Sequence, residues 1–269
     1  MKIHLVCAGG PEFFNAGEEA LNAYFALACA RPDTELVARP LRAGLNDLEQ
    51  YDYAYFQLLN AREACEGVLR AEKEGADAAI VYCFFDPGMR DARGVAQIPV
   101  VGLAESSMIF ASMMGRRFAI VVPRPGQIPI EEDNLVLYKM RSLAIENKPI
   151  RSLHTKMSLT AETMFGDIDT DGVVADFKKV AGSCIEDGAE VLIPGCSALS
   201  LMLALSGVKE VDGAPIVDPL VSAVKLAEAM VDLNQGGRPW ISRSLLYKRP
   251  AEDDVQQVRK MFGLGWSDP

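Results

Sequence analysis

Short apolar runs alternate along the chain with longer segments in which apolar positions return every three or four residues. The runs at 3–8, 35–41, 78–83, 100–103, 118–122, 191–194 and 215–217 predict strands. Helical periodicity predicts helices over 17–29, 59–74, 174–186 and 219–232. The last carries the clearest signals. Asp218 suits its cap, Pro219 its first turn, and Leu220, Val224, Ala227 and Val231 recur on one face. In the helix ending near Glu186, Val174, Phe177, Ala181 and Cys184 form the apolar stripe, and Gly188 suits a left-handed closing residue. Alternation of the two element types predicts an α/β fold.

Two stretches repeat one pattern. Gly75-Ala76-Asp77 precedes the apolar run that ends at Cys83, and Gly188-Ala189-Glu190 precedes the run that ends at Cys196. In both the cysteine falls eight residues after the glycine, and a further short strand follows, at 98–102 and at 214–218. The two cysteines are 113 positions apart, too far for a solenoid repeat but suited to two related α/β halves. Parallel strands present ligands at their carboxyl ends, where both cysteines stand. Facing halves would bring two thiols to one cleft. The plainer reading, a buried hydrophobe, fits Cys65 and Cys184 on apolar helix faces and competes at Cys83 and Cys196.

Composition narrows the partners. Of 269 residues, 27 are Lys or Arg and 37 are Asp or Glu, a net charge of −10 with no basic stripe, which argues against nucleic acid. No apolar run approaches the roughly 18 residues of a spanning helix, and the first run is short for a signal peptide, so a soluble, cytoplasmic protein is expected, with no membrane partner. Six cysteines without a CxxC, and two distant histidines, predict neither a metal site nor a disulfide framework. The expected partners are a small-molecule substrate and further copies of the chain, with Met113 and Met114 beside Phe110 as contact candidates.

A thiolate is both nucleophile and base, and its pKa falls near helix N-termini. Cys83 precedes the turn Phe84-Phe85-Asp86-Pro87-Gly88, and Cys196 precedes a helix start at Ser197. Backbone N–H groups there suit a carboxylate, a thiolate or an enolate. One thiolate and one thiol on opposite faces of a Cα–H centre suffice for a two-base racemase, which needs no cofactor. On this reading Cys83 and Cys196 alkylate before Cys65 and Cys184.

Cys83-Phe84-Phe85-Asp86-Pro87-Gly88 resembles the first cysteine motif of the Asp/Glu/hydantoin racemase superfamily, in its hydantoin racemase branch. Pro99 through Ser106, then Gly115 through Val121, is similar to the central strand–helix–strand of that family. Asp187 through Ser197 resembles its second cysteine motif, and Pro215 through Ala229 the helix that follows. The resemblance runs from about Ile3 to Tyr247. It implies two pseudo-symmetric α/β subdomains with mostly parallel sheets and a cleft between them, one from 1–104 and 217–269, the other from 105–216. It also implies a cofactor-independent racemase or epimerase of a small carboxylate or cyclic ureide, with Cys83 and Cys196 as the acid/base pair. A decarboxylase or cis–trans isomerase of a small diacid on the same scaffold is the alternative, and decarboxylases of the superfamily keep one cysteine where racemases keep two.

The chain also departs from the family. Cys7-Ala8-Gly9 stands where the branch has a polar Asn-Pro-Asn, and Pro123-Arg124-Pro125 stands where a Thr-rich turn is expected. Arg124 is then a candidate for a bidentate grip on a substrate carboxylate. Phe84, Phe85, Ser106, Ser107, Pro123, Gly195, Ser197, Cys7 and Gly9 complete the expected substrate-binding set.

Overall fold

The computed structural model describes residues 1–155, 157 and 169–264. The first sheet contains β1 (Lys2–Gly9), β2 (Glu35–Leu45), β3 (Ala78–Tyr82) and β4 (Val100–Gly102), ordered β2-β1-β3-β4 and parallel throughout. The second contains β5 (Phe118–Val122), β6 (Ile150–Ser152) and β7 (Val191–Pro194), ordered β6-β5-β7 and also parallel. Ile216 bridges Leu192 of β7 in the parallel sense. With that bridge, both sheets have the same order, and each cysteine follows the third position: Cys83 after β3, Cys196 after β7.

Helices α1 (Pro11–Phe25), α2 (Ala54–Lys73), α3 (Met89–Val95), α4 (Leu103–Met114), α5 (Ile128–Leu137), α6 (Thr170–Glu186), α7 (Ser197–Leu205), α8 (Pro219–Gln235) and α9 (Glu252–Met261) surround the sheets. Helices α4 and α8 are the crossings between them. Met108 and Ala111 of α4 and Leu220, Val224 and Ala227 of α8 bury in one core with Ile80 of β3 and Ile193 of β7. Asp218 caps α8 as its sequence suggests, accepting the N–H groups of Leu220 and Val221 at 2.9 and 3.0 Å.

Several expected boundaries move. Helix α1 starts at Pro11, not 17, because Gly10 supplies the extended cap and Pro11 has no N–H to leave unpaired. It stops at Phe25, and Cys29 takes a left-handed φ of 53°. Helix α2 starts at Ala54 rather than 59. The run 215–217 is not a full strand: β8 (Glu210–Val211) and β9 (Ala214–Pro215) form a small antiparallel hairpin instead. Asp212 and Gly213 turn it with φ of 48° and 82°, as a tight two-residue hairpin requires.

The tail is anchored. Arg243 and Arg249 donate to the carbonyls of Arg93, Val95 and Ala96 at the end of α3, and Arg259 of α9 forms a buried two-bond pair with Glu66 at 2.6 and 2.7 Å. Met113 and Met114 are exposed. No helix among the described residues is long and apolar enough to cross a membrane.

Candidate active site

A cavity opens at the carboxyl ends of strands from both sheets. Its walls include Cys7, Ala8 and Gly9 of β1, Tyr82 and Cys83 at the end of β3, and Gly195 and Cys196 after β7. This is where parallel strands present their loops and helix starts to a ligand. Phe13, Phe14, Leu21, Leu48, Tyr51, Phe84, Phe85, Ala198 and Leu201 make the walls mostly apolar, and Gln127 and Ser197 complete them. Among the described residues, no Asp, Glu, Lys or Arg lines it.

Local folding explains how the thiols arrive there. β3 ends at Tyr82 and the chain turns at once, with the Asp86 N–H donating to the Cys83 carbonyl at 3.0 Å. Gly88 takes φ of 67°, and a Cβ there would collide with the Ala61 carbonyl, so the turn requires glycine. The Asp86 carboxylate accepts the N–H groups of Ala104 and Glu105 at 3.1 and 2.9 Å and the Tyr138 hydroxyl at 2.8 Å. It therefore caps α4 from outside that helix. Gly102 leaves the room, since a Cβ there would meet that carboxylate. Burial pushes the Asp86 carboxyl up to about 7. On the other side, Cys196 is itself the extended cap residue of α7.

Both thiols are buried, at 9% exposure each. Burial pushes both above the ordinary cysteine value. The Phe85 N–H at Cys83, and the Leu199 and Ala198 N–H groups at Cys196, act in the opposite direction but are outweighed. The lowering expected from nearby helix starts is thus corrected: desolvation of sulfur inside an apolar cavity is the larger effect. Cys7 is pushed up to about 12 for the same reason. Cys65 and Cys184, off the cavity, are raised to about 12 and about 11.

Cys7, Gly9, Cys83, Phe84, Phe85, Gly195, Cys196 and Ser197 all reach the cavity, whereas Ser106, Ser107, Pro123 and Arg124 do not. Ser106 and Ser107 lie inside α4 and donate back to the Gly102 and Leu103 carbonyls at 2.6 to 3.1 Å, the local bonding that helix serines favour. Pro123 is buried after β5, where the chain leaves the sheet. Arg124 lies off the cavity, and its guanidinium is engaged within the protein by Glu49 at 3.1 Å and Asp52 at 3.0 Å. Sequence reasoning missed Gln127, Tyr51 and Tyr82. A polar residue in the turn after β5 is a signal that the parallel-strand rule makes readable, and Gln127 answers to it.

The fold is α/β, and the family and relatives it matches make the chain an enzyme of the racemase type, an isomerase. The chain belongs to the Asp/Glu/hydantoin racemase family, whose model matches residues 20–227. It is 32% identical over 240 residues to a hydantoin racemase of Pseudomonas sp. (strain NS671), covering 88% of this chain and 89% of that one. In structure it is similar to an allantoin racemase from Klebsiella pneumoniae, with a TM-score of 0.74 at 24% identity over 94% of both chains. An allantoin racemase from Pseudomonas fluorescens gives a TM-score of 0.71 at 22% identity, covering 93% of this chain and 97% of that one.

Proposed function

We propose that the chain racemises a small, neutral, ring-amide carbon acid of the hydantoin or allantoin type, with Cys83 and Cys196 exchanging the proton and no cofactor taking part. The observation that carries this reading is one cavity that holds both thiols and, among the described residues, no charged lining side chain. A free amino acid or a diacid would bring full charges into apolar walls with no cation to meet them, and an unpaired buried charge is costly. A substituted ring amide brings an apolar substituent and neutral polar edges instead.

The chemistry balances with two sulfurs alone. A thiolate removes the proton from the substrate carbon, an S–H bond forms as the C–H bond breaks, and the electron pair moves onto the adjacent ring carbonyl. The opposite thiol then returns its proton to the other face, and the two sulfurs exchange roles. Burial strengthens the sulfur as a base by destabilising the bare thiolate, which narrows the gap to a weakly acidic carbon. The N–H groups that reach each sulfur keep that thiolate accessible. The start of α7 at Ser197 offers further N–H groups and a positive dipole end for the developing oxyanion.

Proton exchange in D2O tests it. Single enantiomers of 5-substituted hydantoins, allantoin and free amino acids are followed by NMR and polarimetry, and an achiral arylmalonate by NMR alone. Loss of the carbon-bound hydrogen with loss of rotation, confined to the ring amides, is expected. Racemisation of charged amino acids in preference to ring amides would overturn the substrate reading.

A further inference from the structure

The turn between β5 and α5 holds a polar group with nothing to bind. Gln127 is fully buried at 0% exposure, lines the cavity, and neither its carboxamide nitrogen nor its carboxamide oxygen has a hydrogen-bond partner. A buried amide left unpaired is costly, so such a group persists where something else is gained. The turn around it is fixed on two sides. Arg124 is clamped by Glu49 and Asp52, Gly126 lies so close to Asp52 that a Cβ would strike the carboxylate, and the Gln127 N–H donates to the Arg124 carbonyl at 3.1 Å. The side chain is therefore presented by an anchored turn.

We infer that Gln127 is the specificity residue that reads the ring amide of the substrate. A carboxamide carries an N–H donor and a carbonyl acceptor side by side. Its complement is a cis amide, whose own C=O and N–H point the same way, and the two groups then meet through a pair of hydrogen bonds. Rings force an amide to be cis, while open-chain amides are almost always trans and turn donor and acceptor to opposite sides. Gln127 thus selects lactam, imide and ureide rings over open-chain amides and over amino acids. It also supplies what the loss of the polar residues near Cys7-Ala8-Gly9 and of a Thr-rich turn at Pro123 takes from the site. Tyr82, whose hydroxyl is likewise buried without a partner on the cavity wall, offers a second donor to a ring carbonyl. The inference rests on the ring-amide part of the proposed function, and not on proton transfer.

The test is a binding measurement with a ligand that has no hydrogen to remove. 5,5-Dimethylhydantoin and its N1,N3-dimethylated form are titrated by calorimetry into the wild-type protein, Gln127→Met and Gln127→Leu. Wild type is expected to prefer the N–H ring by about tenfold or more, as one or two hydrogen bonds to a buried neutral group would give. Both variants should lose that preference to within about threefold and bind the N–H ring at least about tenfold more weakly. Gln127→Met should melt no lower than wild type, since it removes two unpaired buried polar atoms, and Gln127→Leu gives the answer should the methionine variant fail to fold. A variant that keeps wild-type affinity and preference, or a wild-type protein that binds neither ring, overturns the inference. Because proton exchange is read separately, wild type that binds the ring through Gln127 without exchanging a carbon-bound proton sinks the racemase mechanism alone.

Discussion

The Asp86 carboxylate accepts the Glu105 N–H at 2.9 Å, and that bond fastens the turn carrying Cys83 to the first turn of α4. Asp86 belongs by sequence to the cysteine motif, yet it serves a helix eighteen residues on. Its two N–H partners and the Tyr138 hydroxyl depend on it together. Asp86→Ala should therefore lower unfolding free energy by about 2–3 kcal/mol, combining a lost cap with buried donors left unpaired. Urea denaturation measures this. A change below about 0.5 kcal/mol would show that water or another group takes over the cap.

Thiol accessibility should rank the cysteines. Cys29 is exposed, whereas Cys7, Cys83, Cys184 and Cys196 are buried. Iodoacetamide at neutral pH should modify Cys29 first by peptide mapping, with Cys83 and Cys196 following slowly and being protected by 5,5-dimethylhydantoin. Alkylation of Cys83 or Cys196 ahead of Cys29 would mean their thiols are lower, or the cavity wider, than burial implies.

Raised thiols fix the pH profile. The working form needs one thiolate and one thiol, and burial holds both sulfurs protonated through the neutral range. On the acid side kcat/KM should rise about tenfold per pH unit from pH 6 to 8, because a single deprotonation of the pair is being populated. A profile flat over that window would place one thiolate well below the ordinary cysteine range and contradict the account of the cavity.

Much of this site is legible in the sequence because the repeat after Gly75 and Gly188 encodes geometry: helix end, buried strand, cysteine at the carboxyl end. Parallel pairing then places Cys83 and Cys196 at corresponding points of two sheets with one order. Arg124 and Ser106 illustrate what local reading lacks. The partners that engage Arg124, Glu49 and Asp52, lie more than seventy residues away, and only the fold brings them to it. Ser106 is polar in a segment near the cleft, but helical geometry turns its hydroxyl onto the Gly102 carbonyl. Gln127 went unread for the converse reason. Its place in the turn after β5 is readable in the sequence, but the lack of partners that singles it out is displayed by no sequence pattern. Thiol pKa was misjudged because helix starts are visible in sequence and burial inside a cavity is not.

The two-thiol mechanism is tested most directly by following each enantiomer of a proven substrate in D2O with Cys83→Ser and Cys196→Ser. A hydroxyl is a far weaker base than a thiol at neutral pH, so each variant should lose racemisation by at least about a hundredfold. Each should still exchange the carbon-bound hydrogen of one enantiomer with retention, and the two variants should favour opposite enantiomers. Either serine variant racemising within about threefold of the wild-type rate, or both exchanging the same enantiomer, would contradict a proton passed between Cys83 and Cys196.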